Sequence, residues 1–257
     1  MSGVHPSAVI HPKAHLGTGT EIGPYCVIGE HVVLGGGCKL HSHVVIDGHT
    51  TLGRSNELFP FASVGLKTQD LKWKGGTTRT QIGDGNTFRE HVTIHSATSD
   101  GNVTRIGSNN HLLAYSHVAH DAVVGDHVIM SNAATLAGHV TVEDHAIIGG
   151  LAAIHQFCRI GRLAIVGGCS KVVQDVPPFM LADGNPAQVR SINKVGLERN
   201  GMPADTQSAL KRAYKILFRD GLTIPNALGR IEAELPPLPE IQHLLSFARA
   251  SERGLSK

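Results

Sequence analysis

Glu21-Ile22-Gly23-Pro24-Tyr25-Cys26-Val27-Ile28-Gly29-Glu30-His31-Val32-Val33-Leu34-Gly35-Gly36-Gly37-Cys38-Lys39-Leu40 decides the fold, because Ile22, Ile28, Leu34 and Leu40 recur every six residues. The series runs back through Leu16 and Ile10 to Val4 and forward through Ile46, Leu52 and Leu58 to Val64. The same phase resumes at Ile82, Phe88 and Ile94 and continues from Ile106 to Val172. Only Asp70, Gly76 and Asp100 interrupt it, whereas average apolar usage would fill about a third of such positions by chance. Six is neither the 3.6 of a helix nor the alternation of a long strand. It describes short strands joined by tight corners, one hexapeptide per face, coiling into a solenoid. With the large apolar residue numbered as position one, position five is small: Cys26, Cys38, Ala62, Ala134, Ala152 and Cys158. One large and one small inward residue fill a narrow prism. Glycine at position two (Gly17, Gly23, Gly29, Gly35, Gly53) is expected to supply unusual corner dihedrals.

Two interruptions, near 66–81 and 97–105, read as loops budding from the solenoid, where function concentrates. After Val172 the pattern ends at Gln174-Asp175-Val176-Pro177-Pro178. Thr206–Arg219 then places Leu210, Ala213, Tyr214 and Leu217 on one helical face, and Ile231–Leu235 and Pro239–Ala250 read as shorter helices. The expected organisation is a β-solenoid over 1–187 and an α-helical cap over 188–257.

The chain has 257 residues and a formal charge of +2, too balanced for a nucleic-acid binder. No apolar run reaches the ~20 residues of a membrane span. The start, Met1-Ser2-Gly3-Val4-His5-Pro6, carries no signal-peptide pattern. The cysteines, Cys26, Cys38, Cys158 and Cys169, lack metal-ligand spacing. A cytoplasmic protein is expected.

Seventeen histidines need an account. His31, His43, His49, His91, His127, His139 and His145 all occupy position four, as a tolerated corner residue would. His120 alone stands at position three. If the second loop displaces one hexad, Ile94, Val118, Leu136 and Ile154 share a face in consecutive coils. That face presents His95, His120, His139 and His155, with His117 at the corner leading in. Spacing alone leaves three readings open: a metal site, a structural ladder, or a general base, since an alcohol nucleophile must lose its proton near neutral pH.

A resemblance separates them. His117-Val118-Ala119-His120-Asp121, the run from Asn132 to His139, Ile148-Gly149-Gly150, and Ile154-His155-Gln156-Phe157-Cys158 resemble the UDP-N-acetylglucosamine O-acyltransferase family. So do Gln69-Asp70-Leu71-Lys72, Val166-Gly167-Gly168-Cys169-Ser170 and Asp183-Gly184-Asn185-Pro186-Ala187. The resemblance implies a mainly β fold, a left-handed parallel β-helix with an α-helical C-terminal domain. It implies a cytoplasmic homotrimer without cofactor or metal. The reaction implied is the opening step of lipid A synthesis: a (R)-3-hydroxyacyl chain passes from acyl carrier protein to the 3-hydroxyl of UDP-N-acetylglucosamine. His120 becomes the general base, Asp121 its orienting carboxylate, and the Gly138 amide the oxyanion donor. Gln69, Asp70 and Lys72 hold the glucosamine; His95, His117, His139, His155 and Gln156 line the cleft. Asn193 and Arg199 match nucleotide-binding positions, although Val195 and Asn200 depart from the family pattern beside them. Gly168 matches the position that gauges acyl length, and glycine there implies a longer chain. Late basic residues, Arg159, Arg162, Lys171, Arg190, Lys194, Lys211, Arg212 and Lys215 among them, suit an acidic carrier protein. The rivals are an acceptor bearing a 3-amino group, another amino-sugar acyltransferase of this fold, and a noncatalytic hexapeptide scaffold.

Overall fold

The computed structural model describes residues 3–257. From Gly3 to Val172 the chain forms short strands, most of them two residues long. They assemble into three parallel sheets, one for each side of a prism. Ile22 pairs with Leu40, Ile28 with Ile46, and Leu34 with Leu52. Three hexads therefore complete one turn, as the period requires. Position-one and position-five residues meet along the axis: Ile28, Leu34, Cys26 and Cys38 are at most 1% exposed. Burying each large aliphatic side chain contributes roughly 1.5–3 kcal/mol.

The corner geometry corrects the expectation about glycine. Position four takes the left-handed conformation, and of the position-two glycines Gly65, at φ 79° beside the first loop, does so as well. Tyr25, His43, His91, Asp121, His127 and His139 all have φ between 56 and 61°. Position two is glycine for want of room between coils. A Cβ on Gly35 would lie 2.5 Å from the Gly53 carbonyl carbon, and one on Gly23 would lie 2.8 Å from that of His41. The position-four rings stack upward along the edges, as in His43–Phe61–His91–Tyr115, with centroids 4.6–5.0 Å apart.

Both interruptions bud outward, the first leaving one irregularity in register between Val64 and Leu66 where the strand enters the loop. Val64 remains in register with Ile94, and Ile94 with Val118. The strands flanking the first loop reach Leu66 and begin again at Arg79, while the strand closing the second loop begins at Val103. Val118, Leu136 and Ile154 follow in register, so the histidine-bearing face is continuous, as the spacing predicts.

Beyond Val172, Met180–Gly184 pairs parallel with Ile165–Val166 and antiparallel with Ala187–Ile192, carrying one sheet on to Ile192. Four helices follow: α1 (Lys194–Arg199), α2 (Ala204–Phe218), α3 (Ile224–Glu234) and α4 (Pro239–Arg249). Helix α1 precedes Thr206–Arg219, the first helix the sequence pattern marks. Its Val195 and Gly196 are poor helix formers, and the Asn193 side chain caps it by accepting from Gly196 N–H at 3.1 Å. Helix α3 begins well before Ile231, because Thr223 caps it and Pro225 suits a first turn. Leu210, Ala213 and Leu217 of α2 are buried, as the helical face requires. No helix among the described residues is long and apolar enough to cross a membrane.

Candidate active site

His120 occupies the edge between the sheet holding His117–Val118 and the sheet holding Val123–Val124. Asp121, the next residue, takes the left-handed corner conformation at φ 58°. That turn folds its carboxylate back onto the preceding ring, with Oδ2 2.9 Å from His120 Nδ1. Asp121 is thus both corner residue and orienting group. A carboxylate only accepts, so the proton sits on Nδ1 and Nε2 carries the free lone pair.

The second loop and the strand after it hold Asp121 in turn. Oδ2 accepts from the Thr98 amide at 3.0 Å, Oδ1 from Asn102 Nδ2 at 3.0 Å, and its own amide donates to Thr104 Oγ1 at 2.8 Å. Burial opposes the charge on Asp121. Hydrogen bonds from His120, Thr98 and Asn102, with His139 nearby, outweigh it and hold the carboxyl below its ordinary 3.8. Sequence reasoning named none of these three supports; the break in the hexad phase marked their neighbourhood only.

The first loop brings a second carboxylate. Asp70 Oδ2 stands 3.7 Å from His120 Nε2, and Oδ1 accepts from the Lys72 amide at 2.9 Å. Thr68 Oγ1 receives the Asp70 amide and meets Thr98 Oγ1 at 2.9 Å, pinning one loop to the other. Gln69 and Lys72 flank Asp70 with exposed side chains. His120 therefore lies between two carboxylates, one on each ring nitrogen.

One coil further on, Gly138 closes against the ring. A Cβ there would lie 2.4 Å from His120 Cε1 and 2.5 Å from Nε2. Its φ lies outside the left-handed region, so the need is for approach and not for dihedral freedom. Among the described residues the Gly138 amide has no acceptor. Position-three amides on another edge are taken up by the aspartate of the next coil, as with Arg54 to Asp84 and Ser108 to Asp126.

The expected histidine column resolves into contacts of different kinds. His95 and His117 meet edge-on at 5.1 Å, and His120 and His139 at 5.2 Å. Burial, then the neighbouring His95 and His120, push the His117 imidazole down to about 4. Burial and His120 lower His95 as well. His139 stacks on Phe157 at 4.7 Å. His155 and Gln156 are exposed one coil beyond Gly138. His120, Asp121 and His139 each offer one ligand atom within 4.8 Å of the others, as a metal ion would require. Their spacing is accounted for without one, since both Asp121 oxygens already accept hydrogen bonds.

Three site residues are not gathered around His120. Asn193 is buried; its Oδ1 caps α1 and its Nδ2 donates to the Leu163 carbonyl at 2.8 Å. With Arg199 it lines a cleft of about 250 Å³ against His127, Ile129, His145 and Ile147, on another sheet. Gly168 is exposed on a third edge, where a Cβ would lie 3.3 Å from the Gly150 carbonyl oxygen.

A family model described as UDP N-acetylglucosamine O-acyltransferase, domain 2, matches residues 175–256, and a bacterial transferase hexapeptide model matches residues 2–36. The acyl-[acyl-carrier-protein]–UDP-N-acetylglucosamine O-acyltransferase of Thermodesulfovibrio yellowstonii is 50% identical over the full length of both chains. The chain belongs to the UDP-N-acetylglucosamine O-acyltransferase family. Among solved structures, LpxA of Acinetobacter baumannii is similar with a TM-score of 0.96 and 46% identity over 99% of each chain. The UDP-N-acetylglucosamine acyltransferase of Bacteroides fragilis matches with a TM-score of 0.96 and 38% identity, over 98% of this chain and 99% of its own.

Proposed function

We propose that this chain transfers a (R)-3-hydroxyacyl group from acyl carrier protein to the 3-hydroxyl of UDP-N-acetylglucosamine, with His120 as general base. The observation that carries the reading is the juxtaposition of the Asp121-bound imidazole with the Gly138 amide. His120 Nε2 removes the hydroxyl proton as the sugar oxygen attacks the thioester carbon. Negative charge gathers on the former carbonyl oxygen, where the Gly138 N–H donates; one such donor is worth about 3 kcal/mol. The intermediate collapses, the carbon–sulfur bond breaks, and the imidazolium returns its proton to the carrier thiolate. Asp121 holds the ring and supports its charge, and Asp70 faces the nitrogen that becomes protonated.

Gln69, Asp70 and Lys72 are the sugar-binding loop in this reading, with His95, His117, His139, His155 and Gln156 as cleft wall. His117, low in basicity, stays a neutral hydrogen-bonding partner. Asn193 and Arg199 serve the nucleotide from a second copy of the chain, which accounts for their distance from His120, and the working form is a homotrimer. With Asn193 committed to α1 and Leu163, Arg199 carries the phosphate contact, for which a guanidinium fork is suited. Arg159 is less available to a carrier protein than the other basic residues, since its guanidinium lies 4.1 Å over the Phe247 ring. We place the enzyme in the cytoplasm, with a solenoid domain over 1–187 and a cap domain over 188–257 whose first residues, up to Ile192, extend one sheet of the solenoid. Gly168 leaves the acyl groove open to a long chain.

Transfer assays with a series of (R)-3-hydroxyacyl carrier proteins test the reading against UDP-N-acetylglucosamine and its 3-amino analogue. Preferred turnover of the 3-hydroxyl sugar with a long chain is expected. Preference for the amino sugar would overturn the acceptor, and preference for a short chain would overturn the role of Gly168.

A further inference from the structure

The segment 251–257 returns to the solenoid and lies along its last coil. Asp175 N–H donates to the Gly254 carbonyl at 2.8 Å, Ser256 N–H to the Asp175 carbonyl at 2.9 Å, and Val189 N–H to the Ser256 carbonyl at 3.0 Å. Ser251 Oγ donates to Asp175 Oδ2 at 2.7 Å, and Leu255 is buried. These anchors present Arg253 to the histidine-bearing face. Its Nη2 lies 3.1 Å from the Val173 carbonyl oxygen and 3.3 Å from His155 Nδ1. Among the described residues its Nε is buried with no hydrogen-bond partner, and the guanidinium lies beside Cys158, whose thiol burial pushes up to about 11 despite that cation.

Nη2 has two hydrogens, one for each acceptor. A guanidinium can only donate, so its contact with Nδ1 requires the lone pair there and leaves the ring proton on Nε2. The competing contact runs the other way: the Gln156 carbonyl stands 3.1 Å from the same Nδ1 and can only accept. Without Arg253, that carbonyl would draw the proton to Nδ1 and leave Nε2 an acceptor.

We propose that Arg253 is a positioning residue that fixes the His155 ring with Nε2–H as a hydrogen-bond donor toward an acceptor oxygen of the sugar nucleotide. The inference rests on the reading that His155 lines the substrate cleft. Arg253 itself touches no reacting atom. It acts through the neighbouring ring, in the way second-shell partners set imidazole tautomers elsewhere.

The test compares Arg253→Met and Arg253→Lys with the wild type, alone and in a His155→Ala background. Ring-nitrogen NMR of His155, assigned by its loss in His155→Ala, reads the tautomer directly. Arg253→Met is expected to raise KM for UDP-N-acetylglucosamine about tenfold with kcat within about twofold, and to move the His155 proton from Nε2 to Nδ1. Arg253→Lys restores part of the KM, and Arg253→Met adds nothing once His155 is alanine. An unchanged His155 tautomer in Arg253→Met, or an equal KM effect in both backgrounds, would overturn the proposal. His155→Ala with unaltered KM would overturn the placement of His155 in the cleft, and the ring-nitrogen signal tells that failure from a failure of the Arg253 contact.

Discussion

Gly138 and His120 are so closely apposed that the smallest side chain would place its carbon 2.4 Å from the imidazole Cε1. Contact at this range exists because position three of one coil lies directly above position three of the last. The stacking that builds the solenoid thereby sets an amide donor against a histidine ring. Gly138→Ala is expected to displace the ring, lowering kcat at least a hundredfold while leaving the thermal midpoint nearly unchanged. Steady-state kinetics with a melting curve checks both halves.

Asp121→Asn removes the charge that supports the imidazolium and turns one of two accepting oxygens into a donor, so the proton is no longer held firmly on His120 Nδ1. A fall in kcat of at least tenfold is expected, with little change in KM. The same carboxyl contributes to stability. Its folded pKa lies below the ordinary 3.8, so its contribution is present above that value and is lost as pH falls through the lower folded one. Denaturant titrations should show wild type and Asp121→Asn converging in stability as pH drops below about 4.

His117 has linkage of the same sign in a higher pH window. Its folded pKa, about 4, lies below its unfolded 6.5, so the unfolded chain binds the extra proton between those values. Its neutral form favours folding above pH 6.5, and that advantage is lost as pH falls toward 4. His117→Gln should flatten stability against pH across this window, measured by urea midpoints at intervals through it.

The two glycine positions of the hexad should respond differently. Gly35→Ala drives a methyl to within 2.5 Å of backbone and is expected to cost about 3 kcal/mol. Gly37, at φ 71°, would place a Cβ 3.4 Å from Ser55 Oγ, and asparagine accepts left-handed dihedrals. Gly37→Asn should therefore stay within about 1 kcal/mol of wild type. Equilibrium unfolding of the pair decides whether coil spacing or corner dihedrals governs each position.

What was legible from sequence was what repeats. The six-residue phase located the three faces, aligned Ile94 with Val118 across a loop, and singled out His120 as the one histidine at position three. It could not give the reason for glycine at position two, because coil-to-coil distance is absent from a list of residues. Nor could it show Asp70 facing His120 Nε2, since loop paths follow from tertiary contacts such as Thr68 with Thr98. Helix α1 escaped notice because its cap, Asn193, is held by Leu163 from a distant coil. Arg253 was hidden for the same reason: nothing local ties it to His155. Asn193 and Arg199 were reached by resemblance and not by pattern, and their place on another sheet is what a single chain's spacing could not reveal.

The central claim is that His120 takes the proton from the acceptor hydroxyl, and acyl transfer to UDP-N-acetylglucosamine by wild type and His120→Ala, side by side, tests it most directly. The account predicts a loss of kcat of about a thousandfold or more in a variant that still folds and binds the sugar nucleotide with near-normal affinity. A His120→Ala protein that turns over within tenfold of wild type would contradict it.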